Sequence, residues 1–310
     1  MAHHALSSHF QAFFRKLNPS PTFVQQASRE HQTIAGLIED RAGPAAVLGP
    51  ECFLQGSYRQ DTAIYTINDV DMVVLCQLWQ PGIPGGGPSW NRDAIFSVIA
   101  SPLLADSRYR DKVNYGPTSM CIKVDLGIKV EILPVVFRSG NYDPASEPFR
   151  LYRPETAQWQ DGYARMHQAH LSAKNGRSLD NFIPMIKVLK HLRSYGNLQA
   201  VSFHLECLLF SLPDWLFFGG PADYIPTVLG HLSDRVAIAW YLAGLHTPCG
   251  ERNIFTASEW AASEWFGFHS ALCKWTALAR LAANAADRSA ATTFWRLLLG
   301  PAFFPEEGSL

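Results

Sequence analysis

The stretch "GSYRQDTAIYTINDVDMVVL", residues 56–75, sets a small hydroxyl behind a glycine and, further on, two carboxylates separated by one residue. In an extended strand Asp69 and Asp71 point to one face and Val70 to the other, because strand side chains alternate. Two carboxylates held so close repel unless a cation sits between them. Oxygen-only donors select a hard cation, Mg²⁺ or Mn²⁺, and a pair of such ions can grip both an attacking oxygen and the phosphate under attack. Alone, the pattern also fits a strand end with solvated aspartates. The preceding pair shifts the balance. Gly56 lets backbone approach a phosphate closely, and Ser57 offers a hydroxyl and a backbone N–H to the terminal phosphates of a nucleoside triphosphate.

A further carboxylate on a neighbouring strand would complete the set, and Asp125 and Glu131 are the candidates. Asp125 stands at "DLG", where an aspartate commonly bonds local backbone. Glu131 lies between Val130 and Ile132 in "IKVEILPVV", where a lone carboxylate facing a core is costly without a cation. Glu131 is therefore the favoured third ligand.

These residues need a sheet to carry them. "CFLQG" and "DVDMVVLC" read as strands on either side of a polar loop, and the second ends in the apolar run of a central strand. "SMCIKVDL" and "IKVEILPVVF" read as a hairpin turned at Leu126-Gly127 that extends the same sheet. Ahead of them, residues 6–40 form two helices broken at "NPSPT", whose polar residues supply a new N-cap. The second helix spaces Phe23, Ile34, Leu37 and Ile38 as one buried stripe and should pack on the sheet. "QPGIPGGGPSW", residues 80–90, reads as a mobile loop; its glycines lack the Lys-Ser/Thr that follows in a phosphate loop. A helix is expected near residues 92–104. From about residue 161 onward the pattern is helical, with "NFIPMIKVLKHLRSYG" and "SFHLECLLFSL" the first clear segments after it. The fold class is α+β, a mixed sheet with helices in residues 1–160 and a helical lobe in residues 161–310, with the active site in the cleft between them.

Composition narrows the function classes. The chain has 310 residues, 47% hydrophobic and 17% charged, which excludes a largely disordered protein. A formal net charge of -1 supplies no global basic field for a long nucleic acid, and small ligands suit it better. Six scattered cysteines without a CxxC pair point to buried thiols in a reducing, cytoplasmic setting. No apolar run is long enough for a membrane span, and the opening residues lack a signal-peptide pattern.

With "QGSYRQDTAIYTINDVDMVVL", "IKVEILPVV" and the later helices together, the chain resembles the polymerase β-like nucleotidyltransferases. Within them it is most similar to the bacterial cGAS/DncV-like nucleotidyltransferases (CD-NTases), relatives of cyclic GMP-AMP synthase and oligoadenylate synthetase. The resemblance implies a bilobal nucleotidyltransferase core and a helical C-terminal lobe. It also implies Asp69, Asp71 and Glu131 as catalytic and metal-binding residues with two Mg²⁺ ions, Mn²⁺ being an alternative. Gly56 and Ser57 would then contact phosphate. "MIKVLKHLRSY" resembles a helix whose lysine meets the triphosphate, which maps onto Lys190, with Lys187 one turn earlier as the competing choice. "VSFHLECLL" maps a second phosphate contact onto Ser202. Glutamate at position 131 departs from the more usual aspartate. The zinc-binding insertion of animal cyclic GMP-AMP synthase is missing, since His246 and Cys249 of "HTPCGERN" offer too few nearby ligands.

The implied activity is synthesis of a cyclic di- or trinucleotide second messenger from NTPs, with release of pyrophosphate, in CBASS-type anti-phage defence. NTP substrates and regulatory proteins of a defence operon are the implied partners. One alternative is a nucleotidyltransferase acting on tRNA, a protein or a small molecule. Another is a catalytically silent nucleotide-binding protein, although binding alone has no need of three mutually repelling carboxylates.

Overall fold

In a computed structural model, residues 6–78, 91–137, 147–236, 244–254 and 260–308 are described. The expected mobile loop at 80–90 lies outside them, as do residues 237–243 of the region expected to be helical. By backbone contacts the chain forms two units. One comprises residues 20–61 and 66–168, the other residues 1–19, 62–65 and 169–310.

The first unit is built on a seven-stranded mixed sheet. Its strands are β1 (Pro50–Gln55), β2 (Asp69–Cys76), β3 (Val113–Asn114), β4 (Ile122–Asp125), β5 (Lys129–Phe137), β6 (Phe149–Arg153) and β7 (Gln158–Gly162). The order is β1-β2-β5-β4-β3. Beyond the part of β5 that pairs with β4, β6 pairs with the end of β5 and with β7. Strands β2 and β5 run parallel, and the other pairs are antiparallel. The hairpin of β4 and β5 turns at Leu126-Gly127, where Gly127 has φ 85°. That left-handed conformation carries little penalty for a residue without a Cβ.

The two early helices form as expected, α1 at Ser7–Leu17 and α2 at Pro21–Ile38. Ser20 caps α2, its Oγ accepting from Phe23 N at 3.1 Å. Asn91 does the same for the helix at Arg92–Ala105. That helix is α4, since a short α3 (Gly56–Arg59) precedes β2. Each such cap is worth about 1 kcal/mol. Ile34 and Ile38 of α2, with Ile95, Phe96, Ile99 and Leu103 of α4, are buried against Met72, Val74, Cys76, Val130 and Ile132. The stripe read from α2 is thus covered by the sheet, with Phe23 and Leu37 partly buried. The alternate residues Val73, Leu75, Leu133, Val135 and Phe137 cluster with Phe149 on the opposite face.

Strands β6 and β7 had no counterpart in the sequence reading. "FRLYR" and "QWQDG" carry little apolar alternation, and β7 pairs along one side with β6 alone, so backbone pairing rather than burial defines it.

The second unit is helical. It contains α1, the later part of α5 (Ala164–Arg177), α6 (Phe182–Tyr195), α7 (Ser202–Phe210), α8 (Pro221–Val236), α9 (Ala262–Ala283) and α10 (Arg288–Leu299). One core joins Phe10, Phe13 and Leu17 of α1 to Leu189 and Leu192 of α6 and Trp295 of α10. Helix α1 therefore packs with the helical unit, whereas the sequence reading grouped it with residues 1–160. Its apolar periodicity identified a buried face but not the partner that buries it. The division between units falls inside α5, at 168/169.

None of the six cysteines is in a disulfide: Cys76, Cys121 and Cys207 are buried, Cys52 and Cys249 half-buried, and Cys273 is exposed. Among the described residues, no helix is long and apolar enough to cross a membrane.

Candidate active site

Strand β2 begins at Asp69, so both aspartates lie on paired backbone at its first turn of pleat. Val70 is fully buried with Ala27 and Ile128, while Asp69 and Asp71 keep partial exposure on the other face. Register brings the third acid alongside. Asp71 pairs with Glu131 on parallel β5, and Glu131 pairs with Lys123 on antiparallel β4. Gln55 of β1 stands opposite Asp71. One cross-strand row therefore reads Gln55, Asp71, Glu131, Lys123, and directly paired residues share a face of the sheet. The adjacent row reads Asp69, Lys129, Asp125.

Asp125 has the local role foreseen for it: its Oδ1 accepts from Gly127 N at 3.2 Å in the hairpin turn. Glu131 is the acid beside Asp71. Its Oε1 lies 2.9 Å from Lys123 Nζ, and its Oε2 accepts from the Cys121 thiol at 3.7 Å. Burial, and then Glu131, push that thiol up to about 12, so it stays protonated and able to donate. Sequence reasoning missed Lys123. The alternation of "CIKVD" against "KVE" could have found it, because the hairpin turn at 126–127 fixes which residues stand opposite.

Asp71 carries the electrostatic signature of the site. Burial, followed by the charges of Asp69 and Glu131, raises its pKa from 3.8 to about 7. Its carboxylate has no hydrogen-bond or ion-pair partner among the described residues. An oxygen-only set of three acids, one of them pushed toward protonation by burial and then by its neighbours, fits a divalent cation. Asp69, Asp71 and Glu131 are the residues that would hold it.

Gly56 opens α3 at φ 70°, and a Cβ built there would run into the Asp71 carboxylate. Two constraints meet at this residue: a left-handed backbone and close approach to an acid. Ser57 follows at once, partly exposed, and its hydroxyl makes no hydrogen bond among the described residues. The structure thus brings Gly56 and Ser57 to the acid pair. The "GS" turn is the start of a one-turn helix rather than an open loop.

In the helical unit the outcome differs. Lys190 is 2% exposed, and Glu206 is 5% exposed. The Lys190 ammonium donates to Glu206 Oε1 at 2.7 Å and to Thr62 O and Oγ1, both at 3.0 Å. All three of its N–H groups are committed to these partners. A buried cation requires such pairing. Lys187 is also buried, its Nζ donating to Asn18 Oδ1 at 3.0 Å. Ser202 is the first residue of α7, partly exposed, and its hydroxyl has no partner among the described residues.

The chain is similar to known proteins. Residues 5–175 match the model of the Second Messenger Oligonucleotide or Dinucleotide Synthetase (SMODS) domain. The cyclic UMP-AMP synthase of Rhodothermus marinus is 26% identical over 228 residues, covering 66% of this chain and 77% of that protein. The structure of the Rhodothermus marinus CdnE c-UMP-AMP synthase with Apcpp and Upnpp superposes with a TM-score of 0.67 at 22% identity. That match covers 87% of this chain and 96% of the other. CdnC of E. coli MS115-1, in its complex with HORMA-deltaN, gives 0.72 at 15% identity, covering 97% and 99%. With more than half of its length matching the domain model, and with Asp69, Asp71 and Glu131 gathered on one sheet face beside Gly56 and Ser57, the chain belongs to the SMODS family of bacterial cGAS/DncV-like nucleotidyltransferases.

Proposed function

We propose that this nucleotidyltransferase joins NTPs into a cyclic di- or trinucleotide second messenger in bacterial CBASS-type defence, using Asp69, Asp71 and Glu131 to hold two Mg²⁺ ions, with Mn²⁺ an alternative. The observation that carries the reading is Asp71. It is an unpartnered, partly buried carboxylate with a pKa near 7, in register with Glu131 and one residue from Asp69. Carboxylates are gathered at such a cost where a cation and phosphate chemistry make use of them. When bound, divalent ions supply the positive charge that activates a ribose hydroxyl and steadies the departing pyrophosphate.

The chain's own residues do the rest. The sheet fixes the three acids on one face, so no rearrangement is needed to gather them. Gly56 leaves room for Asp71, and Ser57 presents its uncommitted hydroxyl next to the acids as a phosphate donor. Lys123 holds Glu131 in place from β4. In the reaction, a ribose hydroxyl of one nucleotide forms the bond to the α-phosphorus of another as the bond to pyrophosphate breaks. A second such transfer closes the ring. A phosphate role for Ser202 rests on the resemblance and on its uncommitted hydroxyl.

The names of the relatives carry the substrate class, since one makes cyclic UMP-AMP and was solved with Apcpp and Upnpp. The CdnC:HORMA complex is the precedent for a regulatory protein partner. Six free thiols accord with work in the cytoplasm. The test is incubation with Mg²⁺ or Mn²⁺ and all four NTPs, phosphatase treatment, and mass spectrometry. A phosphatase-resistant cyclic product is expected from the parent and none from the Asp69→Asn/Asp71→Asn protein. Unchanged product from that double variant would overturn the metal-site reading.

A further inference from the structure

The sheet face that carries the acids continues past Glu131 onto β4 and β3. Ile122, Val124, Val130 and Ile132 are buried with α2 and α4 on one side of these strands, so the alternate residues face the other way, and Lys123, Asp125 and Lys129 among them are exposed. On β3, exposed Asn114 stands opposite Lys123. Lys112 stands opposite Asp125, because Asp125 N donates to Lys112 O at 3.1 Å and carries the ladder one step beyond Val113. Two rows therefore lead away from the acids. One runs Asp71, Glu131, Lys123, Asn114, and the other Asp69, Lys129, Asp125, Lys112. Lys123 is tied to Glu131 at 2.9 Å. Asp125 turns its Oδ1 to Gly127 N, and neither Lys129 nor Lys112 is in an ion pair among the described residues. Carboxylates thus give way to lysines across one face, within the sheet unit alone.

That gradient has a direction in the reaction. Gly56 and Ser57 follow β1 on one side of Asp71, whereas Glu131 and the lysines lie on the other. In phosphoryl transfer the attacking and leaving oxygens are roughly in line. With pyrophosphate departing toward Ser57, the attacking ribose hydroxyl enters over β5, and the rest of the acceptor nucleotide lies over β5, β4 and β3. The acceptor keeps its own 5′-triphosphate through the first transfer, a strongly anionic group that the acids repel. We propose that Lys129 and Lys112 form an acceptor-phosphate subsite, binding the 5′-triphosphate of the acceptor while Asp69, Asp71 and Glu131 serve the donor. From Asp69 to Lys112 the row crosses three strand spacings, roughly 14 Å, a width that a nucleotide covers from its ribose hydroxyl to its outer phosphates. The proposal rests on the nucleotidyl-transfer reading and deepens it by saying which substrate this side of the sheet holds. For ring closure the same triphosphate must leave the lysines and turn to Ser57, so the subsite belongs to the first transfer.

Acceptors with and without phosphate distinguish this subsite from a merely solvated face. An NTP analogue with an α,β-methylene bridge can accept through its ribose hydroxyl but cannot donate, and a free nucleoside accepts with no phosphate at all. Each is supplied at varied concentration, with the NTPs that the parent consumes as donors, and the linear products are told apart by mass spectrometry. Both lysines are exposed, so Lys129→Gln/Lys112→Gln should fold with little change in stability. That variant should raise KM for the bridged analogue about tenfold, the size of two exposed ion pairs lost, with kcat nearly unchanged. Its KM for the nucleoside should stay parental, and Lys129→Arg/Lys112→Arg should restore the KM for the analogue. An unchanged KM for the analogue, or equal increases for both acceptors, would overturn the proposal. Calorimetric titration of the metal-free protein with inorganic tripolyphosphate needs no activity: binding about tenfold weaker in the glutamine variant is expected, and equal affinity would overturn the subsite. If the parent makes no product from any NTP, the transfer reading fails, and the titration alone decides whether the two lysines bind polyphosphate.

Discussion

Replacing Asp71 with asparagine removes its charge but keeps its shape, and the two expected effects run in opposite directions. Synthesis should fall by about a thousandfold or more, as when one member of a cooperating catalytic group is lost. The metal-free variant should nonetheless melt higher than the parent at pH 8, because the cost of burying an ionised carboxylate, and with it the repulsion from Asp69 and Glu131, which together raise the Asp71 pKa to about 7, is gone. Parallel activity and melting assays check both. Gly56→Ala tests the same carboxylate from the other side. A left-handed alanine costs about 1–2 kcal/mol before its methyl meets Asp71, so lower stability and lost synthesis should appear together. Lys123→Gln should tighten Mn²⁺ binding by about two- to fivefold, within the range of an exposed ion pair, as read by electron paramagnetic resonance. These acids were legible in the sequence because strand alternation and flanking valines fix which way a carboxylate points. Lys190 was not. Its partner Glu206 sits sixteen positions on, and nothing in "MIKVLKHLRSY" says that the ammonium faces inward.

At the scale of elements, the sheet face opposite the acids decides whether they stay aligned. Ile34 is fully buried where α2 meets the sheet, so Ile34→Ala should cost about 2–5 kcal/mol in urea denaturation, depending on how far the site collapses. Helices and central strands announced themselves through periodicity and caps: Ser20 and Asn91 stand where α2 and α4 begin. The β6–β7 hairpin did not, because "FRLYR" and "QWQDG" owe their conformation to pairing partners distant in sequence. Residues 62–65 carry the same lesson. Their apolar Ala63 and Ile64 promise burial without saying in which unit.

For the whole molecule, two sets of groups give stability opposite dependences on pH. Asp71 has a raised pKa, so its contribution is full below the ordinary carboxylate value of 3.8 and is lost as pH rises through about 7. His9 and His191 are lowered from 6.5, chiefly by burial. Their contribution is full above 6.5 and is lost as pH falls below it. Thermal melting of the metal-free protein should therefore decline on both sides of a mildly acidic maximum, and Mn²⁺ should restore only the alkaline side. The distribution of thiols has a practical corollary. Burial pushes the Cys52, Cys76, Cys121 and Cys207 thiols upward; Cys76, Cys121 and Cys207 are covered, Cys52 and Cys249 are half-covered, and Cys273 on α9 faces solvent. A maleimide dye should accordingly couple first at a single native position in the helical unit, giving a fluorescent reporter of that unit without any engineered cysteine.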